Sequence, residues 1–256
     1  MKIEQNIWYH ASGWKNVPEM TGEADLVLVF ASRVILESKP WYKEIRSYYT
    51  NADIVFCSTS GEIFGGSVVD DSLTTTAISF ERTVIKSRKI KIGDYSNDYS
   101  TGKELRRLFP TAGLKHLFVL SHGLNVNGTD LMNGMLSGSD DLLKVTGGLA
   151  GDGPDFIRTL VGLNEEPEEN VVVAIGFYGE ALKVGFGSMG GWDTFGHDRM
   201  VTKSEGNVLH ELDGKPALDL YKSYLGDKAA ELPASGLLFP LAIRSTGDPN
   251  NDSQWS

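Results

Sequence analysis

The pattern of residues 25–92 recurs in the same order further along the chain. The pair Gly61-Glu62 follows a short apolar run, and the pair Gly151-Asp152 follows the corresponding run 90 residues later. Around each Gly-acid pair the pattern predicts a strand, a helix, a second strand, the turn and two further strands. Such a duplication restricts the chain to folds built from two similar halves.

Apolar positions around the two turns support the duplication. Residues 28–30 correspond to 118–120, and residues 77–80 correspond to 174–177 if seven inserted residues are allowed for. Apolar strands alternating with helices must bury one face of each sheet and one side of each helix. We therefore predict an α+β fold of two similar strand-helix-strand-strand-strand units, with the sheets packed face to face and the helices outside.

Helical spacing of apolar residues predicts three of the helices, at 40–49, 101–109 and 215–225. In the second of these, Thr101 and Glu104 have the S/T-x-x-E spacing of a capping box. Thr101 is therefore the predicted residue at which that helix begins.

Composition limits the partners of this chain. The formal net charge is −10, from 34 acidic and 24 basic side chains. This charge disfavours phosphate backbones and anionic membranes, so we predict that neither nucleic acid nor membrane is a partner.

Cys57 is the only cysteine, which excludes an intramolecular disulfide and a cysteine-based zinc site. Residues 1–10 lack an apolar signal region, and we predict a cytoplasmic location.

A series of short motifs follows from about residue 25 to about residue 243. The motifs are Cys57-Ser58-Thr59-Ser60-Gly61-Glu62-Ile63, Thr146-Gly147-Gly148-Leu149-Ala150-Gly151-Asp152-Gly153, Gly191-Trp192, Val201-Thr202-Lys203-Ser204-Glu205-Gly206-Asn207-Val208-Leu209, Leu212-Asp213-Gly214-Lys215-Pro216-Ala217-Leu218, Tyr224-Leu225-Gly226 and Leu238-Phe239-Pro240-Leu241. In this order the series resembles the FIST family. The resemblance implies a small-ligand-binding sensory module of bacterial-type signal transduction, not an enzyme. It also implies a signalling partner such as a histidine kinase or a cyclic-dinucleotide enzyme.

The resemblance further implies a domain organisation. Residues 1–110 are the first FIST N copy, residues 111–205 are the second, and residues 206–256 begin the FIST C region. Family members usually continue well past the stretch at 238–241, so we expect the C region to be truncated here. Any ligand contact from the missing part of that region would be absent.

The two Gly-acid turns are the predicted ligand site. Glycine lets the backbone approach a ligand closely, and free N–H groups of such turns hold a carboxylate, while the acidic side chain would hold an ammonium group. Both charges together suit an amino acid or a similar polar molecule; the alternative is that the glycines only permit tight turns. The predicted ligand-binding residues are Ser58, Thr59, Gly61, Glu62, Gly148, Gly151, Asp152 and Trp192.

Two other functions stay open. Some members of the resembled family bind haem and sense nitric oxide, and His197, in a loop rich in glycine and aromatic residues, would then be the axial ligand. Otherwise we predict no cofactor. An amidase-like hydrolase would use Cys57 or Ser58, but neither a general base nor a G-x-S-x-G elbow is recognisable, so we predict no catalytic residue. The histidine spacing predicts no metal site.

Overall fold

The computed structural model describes residues 1–138, 143–187 and 196–243. The chain divides into two compact units, Met1–Gly185 and Phe186–Ser256.

The first unit alternates strands and helices along the chain. Its strands are β1 Lys2–Tyr9, β2 Gly13–Trp14, β3 Leu26–Ala31, β4 Asp53–Ser58, β5 Glu62–Phe64, β6 Ser67–Val69, β7 Ser72–Ser79, β8 Val84–Lys91, β9 Leu114–Ser121, β10 Lys144–Leu149, β11 Val161–Leu163 and β12 Val171–Tyr178. Its helices are α1 Arg33–Ser38, α2 Trp41–Tyr48, α3 Asp98–Arg107 and α4 Gly128–Leu136. Helix α2 confirms the helix predicted at 40–49.

Helix α3 begins earlier than the predicted capping box at Thr101. The Asn97 side chain accepts a hydrogen bond from the Ser100 N–H (2.8 Å), so Asn97 is the N-cap. Thr101 lies inside the first turn, where its hydroxyl donates to the Asn97 carbonyl (3.0 Å). The prediction that the helix begins at Thr101 is wrong, because an asparagine side chain further upstream satisfies the first free N–H.

Two mixed sheets make up most of the first unit. The first sheet has the order β11-β4-β3-β7-β1-β2, and the second has the order β10-β9-β12-β8. The pairs β3–β4 and β9–β10 are parallel. The neighbouring pairs β3–β7, β7–β1, β9–β12 and β12–β8 are antiparallel. A separate hairpin is formed by β5 and β6.

One apolar cluster holds the two sheets together. Leu26 and Val55 from the first sheet pack with Leu120, Val173 and Ile175 from the second. All five side chains are buried. The prediction that the sheets pack face to face is therefore confirmed.

The opposite face of each sheet is covered by helices. Trp41 of α2 belongs to the cluster that contains Val29 of β3, and its indole N–H donates to the Ile35 carbonyl (2.6 Å). On the second sheet, Leu105 of α3 and Leu131 of α4 belong to the cluster that also contains residues of β9 and β12. The order of layers is helix, sheet, sheet, helix, which confirms the prediction of outer helices.

Four strands of each sheet share one topology. The order β4-β3-β7-β1 matches the order β10-β9-β12-β8, with the parallel pair in the same place. Helices α1 and α2 connect the parallel strands of the first sheet, and α4 lies between those of the second. The last strand of the recurring pattern at 25–92 is β8, which lies in the second sheet, while β1 takes the equivalent place in the first. Nearness in the chain does not decide which sheet a strand joins.

The second unit is smaller. Its predicted helix at 215–225 is confirmed as α5 Ala217–Leu225, whose C-cap is Gly226 with a φ of 57°. The other elements are β13 Val201–Glu205, β14 Val208–Leu212 and β15 Lys215–Pro216, which form a three-stranded sheet, and the 3₁₀ helices Gly226–Glu231 and Ala234–Leu237.

Candidate functional site

The carboxyl ends of β3, β4, β9 and β10 meet at one end of the sandwich. In the second sheet the Ala150 N–H donates to the Ser121 carbonyl (2.8 Å). The next N–H, of Gly151, donates to the Ser58 carbonyl at the end of β4 (2.8 Å). In open sheets with parallel strands, ligands bind outside the carboxyl ends of the strands. This end of the sandwich is therefore the first place to look for a site.

The two predicted turns contact each other there. The Ser58 hydroxyl donates to the Gly151 carbonyl (2.8 Å) and accepts from the Leu160 N–H (2.9 Å). The Ser60 hydroxyl accepts from the Gly153 N–H (3.0 Å). A Cβ at Gly151 would lie 2.5 Å from the Ser60 Oγ, so only glycine fits without a shift. The turns meet as predicted, but they use part of their hydrogen-bonding capacity on each other.

The Glu62 carboxylate is buried, and three hydrogen bonds surround it. It accepts from the Thr59 hydroxyl (2.6 Å), the Ser72 hydroxyl (2.8 Å) and the Ser72 N–H (3.3 Å). Burial raises the pKa of Glu62, and the hydrogen bonds act in the opposite direction. Gly61, which precedes Glu62, has a φ of 136°, a conformation that favours glycine. Glu62 thus ties β5 to the start of β7.

The Asp152 carboxylate is also buried and fully paired. It accepts from Arg33 Nε (2.5 Å) and from the N–H groups of Ile157 (2.8 Å) and Arg158 (3.0 Å). Burial alone would raise the pKa of Asp152. The hydrogen bonds from Arg158, Arg33 and Ile157 outweigh this effect, and the pKa lies below its ordinary value.

Arg33, the first residue of α1, was not predicted, although it connects that helix to the second turn. Its guanidinium lies 3.0 Å from Glu37 and 3.0 Å from Asp155, in addition to its bond with Asp152. Arg158 binds the other oxygen of Glu37 (2.6 Å). One sequence feature indicates Arg33 as a site residue. It lies shortly after the end of β3, at the same strand end as the predicted turns.

His122 is a second residue that the predicted site did not include. It follows β9 and is buried, with Nδ1 3.1 Å from the Thr159 carbonyl and 2.8 Å from the Thr159 hydroxyl. The Gly123 N–H donates to the same hydroxyl (2.8 Å). Because a carbonyl only accepts, the geometry assigns the proton to Nδ1. Nε2 has no hydrogen-bond partner within the part of the chain that the structure describes.

The inner faces of the central strands are incompletely covered. β3 lies in the middle of the first sheet, and its outward residues Val27 and Val29 are fully buried. Its inward residues Leu28 and Phe30 are only half-buried. Phe118, on the inner face of β9, is half-buried as well. The two sheets therefore do not close completely over these strands.

The opening lies on the side of β7 and β10. On the other side, Val55 of β4 and Val173 of β12 are fully buried. Thr76 and Thr146 are half-buried, and Gly148 is exposed. We call this opening the inter-sheet cleft, and its lining residues are Leu28, Phe30, Thr76, Phe118, Thr146 and Gly148.

Gly148 is the predicted ligand-binding residue that lines the cleft. The Leu149 methyl groups lie 3.8 Å from where a Cβ of Gly128 would stand, so Leu149 is on the side of α4. Side chains alternate along a strand, so Gly148 faces the first sheet. A Cβ at Gly148 would meet no heavy atom within 4 Å. The space in front of Gly148 is open.

The other predicted residues have different surroundings. Trp192 lies outside the described residues. His197 is exposed in the second unit, so the described residues do not give it the apolar pocket of an axial haem ligand. Cys57 is buried in the inner core, and burial raises the pKa of its thiol to about 12. A thiol with this pKa is protonated at neutral pH and is a poor nucleophile.

The described residues contain neither a cluster suited to a metal ion nor a helix suited to cross a membrane. No group of three or more His, Cys, Asp or Glu side chains is placed there to hold a metal ion. No helix in ranges 1–138, 143–187 and 196–243 is long and apolar enough to cross a membrane.

Comparison with known proteins places the chain in a family. Residues 25–215 match the model of the FIST N domain, which covers well over half of the chain. The chain therefore belongs to the FIST family, whose domains are sensory domains of signal transduction. FIST is not a known catalytic family. A comparison with curated proteins found no match. The FIST C region predicted at 206–256 stays a prediction.

Proposed function

We propose that this FIST domain is a sensory module that binds a small polar molecule at the inter-sheet cleft. The observation that carries the proposal is the half-burial of Leu28, Phe30 and Phe118 on central strands. Protein interiors are close-packed, and apolar side chains on the inner faces of two stacked sheets are normally covered completely. A ligand would supply the missing cover.

Amino acids are the first ligand class to consider. Arg33 and Asp152 form an ion pair at the strand ends that border the cleft. These two side chains already bind each other, so a zwitterion would exchange partners with them: its ammonium group would replace Arg33 at Asp152, and its carboxylate would replace Asp152 at Arg33. Ser58 and Gly151 join the two turns by hydrogen bonds, and Ser58, Thr59, Gly61, Glu62 and Gly151 stay predicted ligand-binding residues. Trp192 stays a predicted ligand contact.

The two sheets offer a way to transmit binding. A ligand between them favours one spacing of the two inner faces over another, and a partner that contacts both sheets responds to that change. The matching strand orders of the two sheets support the proposed internal duplication, although β8 and β11 each join the sheet of the other half. The proposed partner is a cytoplasmic signalling protein such as a histidine kinase or a cyclic-dinucleotide enzyme.

The test is thermal unfolding in the presence of each common amino acid. A ligand present at one hundred times its Kd stabilises the folded state by about 2.7 kcal/mol, which raises Tm by roughly 5–10 °C for a chain of this size. Gly148→Leu adds a side chain at a position where a Cβ meets nothing within 4 Å, so the side chain fills the cleft, and we expect it to abolish the shift. Gly66→Leu is the matched control, because a Cβ at Gly66 also meets nothing within 4 Å and Gly66 lies in the β5–β6 turn.

Two outcomes would contradict the proposal. One is that no amino acid changes Tm, and the other is that the shift survives in Gly148→Leu. The haem alternative is tested separately by the absorption spectrum after addition of haem. A Soret band that is lost in His197→Ala would replace the amino-acid proposal by the gas-sensor one.

The hydrolase alternative would need a nucleophile other than the two candidates. Cys57 is buried with a raised pKa, and the Ser58 hydroxyl already bonds Gly151 and Leu160. We therefore propose no catalytic role for either residue.

A further inference from the structure

None of the six residues that line the inter-sheet cleft is charged; Lys144, on the same face of β10 as Thr146, is exposed at the start of the strand. The six lining residues are aliphatic, aromatic, hydroxyl-bearing or glycine. Next to them on the inner face of β9 lies His116, which is buried, and burial lowers its pKa so that the ring is neutral at neutral pH. A charged ligand group inside the cleft would lose its water and gain no opposite charge. The part of a ligand inside the cleft must therefore be uncharged.

Aromatic side chains lie on both walls of the cleft. Phe30 of β3 and Phe118 of β9 belong to the same apolar cluster, and each keeps part of its ring surface exposed. Aromatic rings pair favourably in stacked or edge-to-face arrangements, beyond the effect of burial alone. Two partly exposed phenylalanines facing one opening favour a flat ring over a branched aliphatic group.

One polar pair lies beside these rings. His116 Nε2 is 2.9 Å from the Thr146 hydroxyl. His116 Nδ1 is buried and has no hydrogen-bond partner among the residues that the structure describes. A hydroxyl has one donor and two acceptor positions, and the bond to His116 uses only one of them. Because Thr146 is half-buried, its hydroxyl has acceptor capacity left for a group in the cleft.

We propose, on the basis of the function proposed above, that the ligand is an aromatic amino acid whose ring bears a hydrogen-bond donor. The ring lies in the cleft between Phe30 and Phe118, and its N–H or O–H donates to the Thr146 hydroxyl. The charged ammonium and carboxylate groups stay outside the cleft, at Asp152 and Arg33. Tryptophan, tyrosine and neutral histidine are the common amino acids of this class.

The test is calorimetric titration of the whole chain with tryptophan, phenylalanine, leucine and glutamate. We expect tryptophan to bind more tightly than leucine or glutamate, and Gly148→Leu to abolish its binding while Gly66→Leu leaves it unchanged. Thr146→Val keeps the size of the side chain and removes the hydroxyl. It should weaken tryptophan binding roughly 3- to 10-fold, the effect of one hydrogen bond, and leave phenylalanine binding unchanged because that ring has no donor.

The outcomes separate this inference from the function it rests on. If leucine or glutamate binds more tightly than tryptophan and Gly148→Leu abolishes that binding, the cleft is the site but the ligand class is wrong. If Thr146→Val weakens tryptophan and phenylalanine equally, the hydrogen bond to the ring donor is wrong. If no amino acid binds, or if Gly148→Leu has no effect, both the inference and the proposed function fail.

Discussion

Ser58 and Gly151 lie 93 residues apart in the chain and exchange two hydrogen bonds of 2.8 Å. The Gly151 N–H donates to the Ser58 carbonyl, and the Ser58 hydroxyl donates to the Gly151 carbonyl. This pair joins the end of β4 in the first sheet to the end of β10 in the second. The two sheets are therefore connected by hydrogen bonds as well as by the apolar cluster between them.

Removal of the Ser58 hydroxyl should destabilise the domain. In Ser58→Ala, the Leu160 N–H loses its acceptor and the Gly151 carbonyl loses a donor, both near a fully buried side chain. We expect the free energy of unfolding to fall by about 1–3 kcal/mol, measured by urea denaturation. Ser47→Ala is the control, since Ser47 is exposed and its hydroxyl bonds only the Glu44 carbonyl. Equal effects of the two substitutions would contradict the role of Ser58.

Substitution by alanine should destabilise the protein at one of two glycines near the strand ends and should be tolerated at the other. A Cβ at Gly123 would lie 2.0 Å from the Ala150 carbonyl oxygen, whereas a Cβ at Gly148 would meet nothing within 4 Å. We expect Gly123→Ala to destabilise by about 3 kcal/mol or more, because backbone must move. Gly148→Ala should change stability by less than about 1 kcal/mol. Urea denaturation of both variants tests the difference, and a tolerated Gly123→Ala would rule out the close approach.

The Asp152 carboxylate should make the stability of the protein depend on pH in the acidic range. Its pKa in the folded state lies below the ordinary value of 3.8, so its stabilising contribution is present above that pH. The contribution is lost as the pH falls towards the folded-state pKa. Asp152→Asn should therefore lower stability at neutral pH and flatten the loss below about pH 4, measured by urea denaturation between about pH 3 and pH 7. Asp71→Asn, at an exposed position, should leave the profile unchanged.

Ionisation of Glu62 should change the stability of the protein with pH in the opposite direction to ionisation of Asp152. The pKa of Glu62 is raised above 4.5 in the folded state, so the folded protein binds more protons than the unfolded chain as the pH rises past that value. Stability attributable to Glu62 therefore falls with rising pH until the folded-state pKa is passed. Glu62→Gln should remove this fall in the same urea series. A steeper fall in Glu62→Gln than in wild type would show that the sign is wrong.

The Cys57 thiol should be unreactive in the folded protein. It is buried, and its pKa is about 12, so almost no thiolate forms at neutral pH. We expect no reaction with Ellman's reagent until urea unfolds the chain, and then one thiol per chain because Cys57 is the only cysteine. Rapid reaction under native conditions would return Cys57 to the list of nucleophile candidates.

The central strands of both sheets, a helix between the parallel strands of each sheet and the meeting of the two turns could be predicted from the sequence, whereas β1, β2, β11 and the β5–β6 hairpin were not predicted. The predicted features follow from local apolar patterns and from the recurrence of a Gly-acid pair, which a single chain displays directly. The pairing of Arg33 with Asp152 could not be predicted, because the two residues are 119 positions apart in the chain. His122 and its partner Thr159 are 37 residues apart, and neither belongs to a recognisable motif.

Local sequence patterns also could not predict which sheet each strand joins, because the pairing partner of a strand can lie far away in the chain. β8 follows β7 after a short turn, which by sequence favours a place in the same half. Hydrogen bonds to β12 put it in the second sheet instead. The cleft was also not predictable in detail, because half-burial of Phe30 and Phe118 depends on how far apart two sheets lie. The proposed boundary between residues 110 and 111 stays a prediction.

The late position of strand β11 in the chain affects how the first sheet forms during synthesis by the ribosome. This strand lies after β10 in the chain, yet it pairs with β4 and covers the edge of the first sheet. From Ser58 at the end of β4 to Val161 at the start of β11 the ribosome must add 103 residues. At about 5–20 residues per second, the unpaired edge of β4 is present on the nascent chain for roughly 5–20 s. An unpaired strand edge pairs readily with other chains, so this interval is when we expect chaperones to matter most for this protein.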